Sequence, residues 1–494
     1  MHNRNRDLPA TAHQAPIWSA CILAALLTAT GAGIAAGSEV TSRSLHQGMA
    51  QMEQAIAHAE SLLPETSKAA EGAARRWVAG GGLYAAGDSC ATDELFYRAG
   101  GLTGLKRIGV SGQNGNGLQV CWNEVPEKSV ILYAMHRHVD PGILLFEDLN
   151  HLMVKGDTVV IFGSSQWLSC RRSVEAMRKR LPAGRCFFID TGLPQDTSFT
   201  TADGRHYGDF AGMVTAAHAW AFTAELIAAC TRQNKTPVIW PSGAIPGYEA
   251  WEKQYGTNAF HGDLTLRPIE AGVLGRRYLQ SLRRQIQACE TSAPHLQAAA
   301  RTLADVPANQ AVYAMVDSHL LAGETWLPKE LPNWMLVQRR WRWRRAAPTI
   351  EQGDGVFWLG EYNWPAPEVE QAVKMKNPMA VVSLYGPGQP PWHTPLGMPP
   401  GTTPATEPAR ISVELSPTAI ATPSPTNVVW IPAPWQYPDA LVELNGYPLP
   451  ACPSSSIVQG TLLWGVIGDV LENKHNQDTS PFSEDHGMFR GNTP

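Results

Sequence analysis

Two short turns rich in serine and threonine could bind an anion. The first spans residues 87–92 (Gly-Asp-Ser-Cys-Ala-Thr) and the second spans residues 163–166 (Gly-Ser-Ser-Gln). Each follows an apolar run that predicts a strand and precedes a predicted helix, so backbone N–H groups and hydroxyls point toward a ligand at the positive end of a helix dipole. The alternative is that these residues only cap their helices, a role that serine and aspartate also fill.

A second motif could indicate a metal site. Residues 136–140 read His-Arg-His-Val-Asp, which resembles the start of metallo-β-lactamase zinc sites, but Pro141 replaces the histidine that follows there. The eight cysteines include no pair in C-x-x-C spacing, so zinc ribbons and thioredoxin-type redox sites are excluded. We therefore predict polar loop histidines, no metal and no cofactor.

Composition narrows the class of protein further. The chain has 494 residues, of which 44% are hydrophobic and 17% charged, a balance that buries a core and excludes global disorder. Because 39 Lys and Arg face 44 Asp and Glu, no bulk basic field points to a nucleic-acid partner. A cluster of Arg and Trp at 339–345 fits a basic strand face with inward tryptophans as well as an anion-binding surface.

The elements that would position these residues alternate between strand and helix. Helical periodicity covers 44–63, 65–77 and 212–232, and apolar runs predict strands at 79–87, 129–135, 158–163, 185–190 and 236–240. The alternation restarts with strands at 311–316, 355–360, 379–384 and 428–431 and a helix at 457–471. This pattern predicts an α/β fold made of two doubly wound three-layer α/β/α domains with mostly parallel sheets, at 44–300 and 301–472.

The remaining segments carry other signals. Residues 387–434 are rich in proline and predict an irregular insertion in the second domain, and residues 473–494 predict a disordered tail. Residues 17–36 contain no charge and end in small residues, so residues 1–43 predict a signal peptide or an N-terminal membrane anchor. We expect an exported or anchored protein, with a cytoplasmic location and an ordinary apolar helix as the alternative.

Taken together, the two turns resemble the SIS (sugar isomerase) phosphosugar-binding domain family. Gly156-Asp157 before the predicted strand at 158–163 also fits that family, and the resemblance covers about residues 50–290. It implies that sugar phosphate is held by five residues: Ser89, Thr92, Ser164, Ser165 and Gln166. The chain departs from the family where Trp167-Leu168-Ser169 replaces small and hydroxyl residues, and where Asp88 adds a carboxylate.

The resemblance extends to a fainter second copy at 305–472, similar to the tandem isomerase half of glucosamine-6-phosphate synthase. The turns of this second copy lack the serine pattern, so it is expected to be degenerate in phosphate binding. An aldose–ketose isomerase would also need a proton-transferring base. The candidates are Glu94, Glu225, His319 and Glu324, and for each the alternative is a surface or capping residue.

Three function classes are open: the resemblance supports the first two, and the possible signal and the 17 tryptophans favour the third. The first is a phosphosugar-binding protein that is also an aldose–ketose isomerase. The second is a non-catalytic sensor of a carbohydrate derivative, and the third is an exported carbohydrate-binding protein. The expected partner is a small phosphosugar, with no nucleic acid, with membrane contact only through 17–36, and with a homodimer as an option.

Overall fold

A computed structural model of the chain describes residues 42–108, 119–135, 157–242, 247–307, 309–316, 335–339, 350–362, 364–387, 427–435 and 439–475. The described residues belong to one compact unit. The predicted anchor at 17–36, most of the proline-rich insertion, the histidines at 136 and 138, and most of the Arg/Trp cluster lie outside them. Domain boundaries near residue 300 stay a prediction.

Ten α-helices and two short 3-10 turns fall within the described ranges. The α-helices are α1 (Arg43–Ser61), α2 (Leu63–Val78), α3 (Ser89–Thr92), α4 (Leu168–Arg180), α5 (Ala211–Arg232), α6 (Tyr248–Tyr255), α7 (Val273–Ala288), α8 (Ala293–Ala304), α9 (Ala366–Met375) and α10 (Ser455–His475). Their ends follow local chemistry: the Ser42 hydroxyl accepts the N–H of Leu45 (3.2 Å) and caps α1.

The strands form two larger sheets and two hairpins. They are β1 (Leu83–Gly87), β2 (Leu105–Ile108), β3 (Gln119–Val120), β4 (Val130–Ala134), β5 (Thr158–Gly163), β6 (Cys186–Asp190), β7 (Phe199–Thr200), β8 (His206–Tyr207), β9 (Val312–Val316), β10 (Met335–Arg339), β11 (Gly355–Leu359), β12 (Met379–Ser383), β13 (Val428–Pro432), β14 (Ala440–Val442) and β15 (Ala451–Pro453). Among these described strands, the hairpins β7–β8 and β14–β15 pair antiparallel, and the other pairs are parallel.

The first sheet has the strand order β3-β2-β1-β4-β5-β6, and every neighbouring pair is parallel. The chain runs outward from β1 to β3 and then returns to β4 on the other side of β1. Phe162 contacts Phe222 of α5, and Phe187 packs on Gly72 of α2, so α2 and α5 share one face of the sheet. Cys170 of α4 approaches Gly163 from the opposite face. Helices thus cover both faces.

The second sheet has the order β10-β9-β11-β12-β13 and is also parallel throughout. Its buried side chains alternate between two cores, as the two-residue period of a strand requires. Phe357 and Leu359 join the large core beneath α8, whereas Val356 and Trp358 join a smaller core with Val369 of α9. The predicted α/β architecture with mostly parallel sheets is confirmed.

Helices from the two ends of the described chain pack together. α10 lies against α1 and α8, and a Cβ on Gly465 would come within 3.3 Å of the Leu45 backbone. α5 is apolar and long enough to span a membrane, but its apolar window is entirely buried inside the protein, which is typical of a core helix. These helices join the two sheets into one body.

The prediction of a strand at 236–240 is wrong. Residues 236–240 make only isolated bridges, Leu102 with Ile239 and Pro237 with Phe260, and do not enter either large sheet. Their backbone pairs instead with the loop after α3, where Gly100 N–H donates to Trp240 O (2.8 Å). An apolar run of strand-like composition therefore forms a loop-to-loop ladder.

Candidate functional site

The carboxyl edge of the first sheet is the place where a ligand is expected. In open parallel sheets, ligands bind where the strand order reverses, and here that point lies between β1 and β4. The turn after β1 and the turn after β5 leave the same edge, because both strands pair with β4. The two turns identified in the sequence therefore flank one crevice.

The first turn is organised around its own backbone. Gly87 adopts a left-handed conformation (φ +84°), and a Cβ there would lie 2.1 Å from Ala134 O, so only glycine fits. Thr92 is buried, and its hydroxyl donates to Asp88 O (3.1 Å) within the single turn of α3. This hydroxyl is thus bonded to the backbone of its own turn, which also accepts the N–H of Thr92. The described residues include the backbone of Ser89 but not its side chain.

The second turn also uses most of its polar groups internally. The fully buried Ser164 hydroxyl donates to Leu193 O (2.5 Å) and accepts the N–H of Gln166 (3.1 Å). Trp167, which stands where the resembling family has a small residue, is buried, and its indole N–H donates to Pro194 O (3.0 Å). Ser165 is half-buried and the Gln166 side chain is exposed, so these two residues form the accessible part of the turn.

An aspartate at the end of β6 takes the donors that would face an anion. Asp190 Oδ1 accepts the N–H of Ser165 and the N–H of Gly192, both at 3.0 Å. Burial works to raise the pKa of Asp190, but hydrogen bonds from the Ser165 hydroxyl and from these N–H groups lower it overall, and His58 adds to the lowering. The turn therefore already holds an ionised carboxylate, supplied by the chain itself.

Two histidines lie behind this carboxylate. His58 Nε2 is 3.1 Å from Asp190 O, and its ring lies 5.8 Å from the ring of His218 on α5. Burial, together with the nearby His58, lowers the pKa of His218 to about 3, so His218 is neutral at physiological pH. His58 thus contacts Asp190 through the backbone carbonyl, and the neutral His218 lies behind it.

Glu94, one of the predicted bases, belongs to a buried network around Arg98. Glu94 is fully buried, accepts the indole N–H of Trp220 (2.9 Å) and lies 3.3 Å from Arg98 Nε. Burial raises the pKa of Glu94, although Arg98 and hydrogen bonds from Trp220 and Ser456 act in the opposite direction. No open path to a substrate is evident for a side chain with no exposed surface.

The rest of the network comes from the second half of the chain. Arg98 lies 3.1 Å from Asp439 Oδ2 and 3.5 Å from Glu361 Oε1, and it donates to Ser455 Oγ (2.7 Å). Asp439 also accepts the hydroxyl of Tyr362 (3.1 Å). Burial alone would lower the pKa of Arg98, but the three carboxylates raise it overall, so the guanidinium stays charged.

Arg98 consequently occupies the carboxyl edge of the second sheet. Glu361 and Tyr362 directly follow β11, and the order of this sheet reverses between β9 and β11, where a ligand would bind. The guanidinium of Arg98, which comes from the first half of the chain, lies beside the turn after β11.

Glu225 has a structural environment of its own. It is fully buried in α5 and accepts the Ser67 hydroxyl (2.7 Å) and the N–H groups of Gly272 (2.7 Å) and Gly275 (2.8 Å). The last two donors belong to the N-terminus of α7, so this carboxylate caps a helix from a distance. His319 and Glu324 lie outside the described residues, and their assignment as bases stays a prediction.

Sequence reasoning missed the residues that fill both edges. Asp190 was visible as the end of a predicted strand, and a carboxylate at the carboxyl end of a strand beside a serine turn was a usable signal. For Arg98 the i,i+4 spacing from Glu94 was the only local signal, since its other two carboxylate partners lie 263 and 341 positions along the chain. Asp157 lies at the amino end of β5, where it accepts the N–H of Ser129 (2.7 Å) and joins two strands away from the site.

Side chains that could bind a metal do not cluster in the described residues. Within the described ranges, no group of three or more His, Cys, Asp or Glu side chains is arranged to hold a metal ion. His136, His138 and Asp140 lie outside those ranges.

Known proteins offer likenesses at low identity. No family model and no curated protein sequence matches the chain. Among solved structures, the C-terminal domain of glucosamine-fructose-6-phosphate aminotransferase from Francisella tularensis is similar over 86% of this chain and 96% of its own, with 8% identity and a TM-score of 0.43. A proposed sugar binding protein from Salmonella typhimurium LT2 covers 72% of this chain and 92% of its own, at 9% identity and a TM-score of 0.39.

A proposed phosphosugar isomerase from Clostridium difficile 630 is similar over 91% of this chain and 97% of its own, at 10% identity and a TM-score of 0.39. These values assign neither a family nor an activity to the chain. Its α/β class is established by its own parallel strand pairing.

Proposed function

We propose that this protein binds a sugar derivative at the carboxyl edge of its first sheet and does not isomerise it. The observation that carries the proposal is Asp190, which holds the Ser165 and Gly192 N–H groups that an anion would otherwise need. A half-buried ionised carboxylate accepts hydrogen bonds from sugar hydroxyls, and Gln166 offers an exposed amide beside it.

The same carboxylate argues against a phosphorylated ligand at this turn. A phosphate monoester carries about −1.5 to −2 charges at neutral pH and would lie next to Asp190 with like charge. Asp190 would first have to release the Ser165 hydroxyl and the N–H groups of Ser165 and Gly192 before they could bind a phosphate. The ligand proposed here is therefore the unphosphorylated sugar, although the sequence resemblance implies a phosphosugar.

The absence of catalysis is proposed from the placement of the described bases. A general base must come within about 3 Å of the proton that it removes. Glu94 and Glu225 are both fully buried and hydrogen-bonded within the protein. Each one stabilises the fold, and neither faces the crevice between β1 and β4 as an accessible side chain.

Ligand binding is tested by thermal shift and calorimetry with hexoses, amino sugars and their 6-phosphates. Wild-type protein should be stabilised by a parent sugar more than by its phosphate. Asp190→Ala should lose the sugar effect and gain stabilisation by inorganic phosphate, because it frees two N–H donors. Glu249→Gln, which removes an exposed carboxylate on α6, is the matched control. Tighter binding of the phosphosugar by wild-type protein would refute the proposal.

Isomerisation is tested separately by following aldose-to-ketose conversion of the same sugars and phosphates by NMR. We expect no conversion. Product formation that disappears in Glu94→Gln, His319→Gln or Glu324→Gln would establish an isomerase and identify its base.

The location proposed for this binding protein is outside the cytoplasm, on the basis of the uncharged segment at 17–36. Fractionation of the native protein with N-terminal sequencing tests the location. An intact Met1 in the soluble cytoplasmic fraction would overturn it.

A further inference from the structure

Helix α4 presents two different faces. Cys170, Val174, Met177 and Leu181 at its C-terminal end are buried against the first sheet. The exposed residues are Leu168, Arg171, Arg172, Glu175, Arg178, Lys179 and Arg180. At about 100° per residue, the first six of these positions fall within an arc of roughly 120° on the helix surface, and Arg180 lies outside it. We call the four cations within the arc (Arg171, Arg172, Arg178 and Lys179) the basic face.

The four cations of the basic face form no ion pair with a described carboxylate. Glu175 shares the arc, yet no ion pair joins it to any of the four cations in the part of the chain that the structure describes. By contrast, Arg98, Arg107 and Arg283 elsewhere in the chain each have a carboxylate partner within 3.5 Å. Exposed cations that are concentrated on one helix and left unpaired create a local positive field on a chain whose formal net charge is −5.

An apolar side chain lies inside the same arc. Leu168, at the start of α4, is 51% exposed and is among the few large hydrophobic side chains that the described surface leaves open. With the apolar face of α4 buried against the sheet, Leu168 is the apolar side chain of this helix that could enter the acyl boundary of a membrane while the neighbouring cations lie at the headgroups.

We propose that the basic face of α4, with Leu168, binds the surface of an anionic phospholipid membrane. Charge complementarity selects the occupant: anionic headgroups supply the phosphates that Arg171, Arg172, Arg178 and Lys179 lack, and each cation near such a surface strengthens binding. The uncharged segment at 17–36 would hold the chain near the bilayer, and a polybasic surface together with an apolar anchor makes attachment stable. Membrane contact thus extends beyond the N-terminal segment.

A membrane fits this face better than a nucleic acid does. Leu168 has no role at a phosphodiester backbone, and the net negative charge of the chain opposes a long polyanion that extends past a single helix. A flat lipid surface contacts only the face presented to it.

The test is co-sedimentation of the full chain with two kinds of vesicle. One kind is phosphatidylcholine alone, and the other is phosphatidylcholine with about a third phosphatidylglycerol. A quadruple variant carries Arg171→Gln, Arg172→Gln, Arg178→Gln and Lys179→Gln. The matched control replaces four exposed cations elsewhere by glutamine: Lys235, Lys253, Arg267 and Arg301. Circular dichroism and thermal melting confirm that both variants fold.

We expect the quadruple variant to lose on the order of a hundredfold in affinity for phosphatidylglycerol vesicles, because each cation near an anionic surface strengthens binding and salt screens part of that gain. Binding to phosphatidylcholine vesicles should be unchanged. The control variant should bind like wild-type protein. Leu168→Ser should weaken binding to the anionic vesicles by several-fold while leaving its salt dependence intact.

Three results would overturn the proposal. The first is equal affinity of wild-type protein and the quadruple variant for phosphatidylglycerol vesicles. The second is an equal loss in the control variant. The third is binding of a DNA duplex that is as tight as vesicle binding at equal phosphate concentration and is abolished by the same four substitutions, which would identify a nucleic-acid surface instead.

Discussion

Replacing Arg98 by methionine should destabilise the protein strongly. The guanidinium is 3% exposed and lies within 3.5 Å of carboxylates on Glu94, Asp439 and Glu361. Arg98→Met keeps most of the side-chain volume but leaves these carboxylates buried without a counter-charge. Breaking a buried ion pair from one side costs about 3–5 kcal/mol.

The expected shift in melting temperature follows from the size of the protein. Unfolding entropy is roughly 2.1 cal/mol/K per residue, so the roughly 330 described residues give about 0.7 kcal/mol/K. A loss of about 4 kcal/mol therefore lowers the Tm by about 6 °C. Differential scanning calorimetry at pH 7.5 measures this shift.

The penalty should also depend on pH. Protonation removes the uncompensated negative charge, so the difference between wild-type protein and Arg98→Met should be smaller at pH 4.5 than at pH 7.5. The control is Arg107→Met, because Arg107 pairs with Asp93 (2.6 Å) at a position that is 36% exposed, where an ion pair contributes at most about 1 kcal/mol. If Arg98→Met melts no lower than Arg107→Met, or if its penalty is the same at both pH values, the buried network is not what stabilises this region.

Three further substitutions test other features. Glu225→Gln should lower the free energy of unfolding by about 2–5 kcal/mol, because an amide oxygen cannot accept all three hydrogen bonds that the carboxylate accepts. Urea unfolding measures this loss. An unfolding midpoint equal to that of wild-type protein would refute the capping role. Burial raises the pKa of Asp469 to about 6, despite hydrogen bonds from Ser42 and Ser44, so the folded state binds its proton more tightly than the unfolded chain and stability falls as the pH rises from about 4 to 6. Asp469→Asn should abolish that fall and add up to about 3 kcal/mol at pH 7; an unchanged stability–pH curve would contradict this assignment. Gly87→Ala places a Cβ 2.1 Å from Ala134 O in a left-handed conformation, and we expect a loss of several kcal/mol or no soluble protein, whereas normal folding would show that the turn can rearrange.

The fold could be predicted from the sequence where the signal is local. The apolar run Thr-Val-Val-Ile-Phe-Gly predicts β5 at 158–163 with its bounds correct, because a strand buried on both faces needs a continuous apolar run. Residues 236–240 have a similar composition but pair with a loop, and composition does not reveal which backbone a segment meets. Local pattern thus predicts the existence of an element better than its partner.

The site was accessible only in part, for the same reason. The turn at 164–166 is contiguous and was identified, and the structure places it at a sheet edge. The carboxylate that occupies it comes from Asp190, 25 residues away from Ser165, and the guanidinium in the second sheet comes from Arg98, 263 residues away from Glu361. Such pairings depend on how the sheets pack, which no local pattern records.

The packing of α10 on α1 fixes the order in which the protein can mature. α1 is among the first described elements to be synthesised, and the helix that covers it begins roughly 400 residues later, a delay of about 20–80 s at 5–20 residues per second. During that time α5 and α7 can cover part of α1, but the side of α1 that packs on α10 stays exposed. A product that ends before Ser455 would leave that side of α1 and the facing side of α8 without their partner, so we expect C-terminal truncation to favour aggregation over a smaller folded protein.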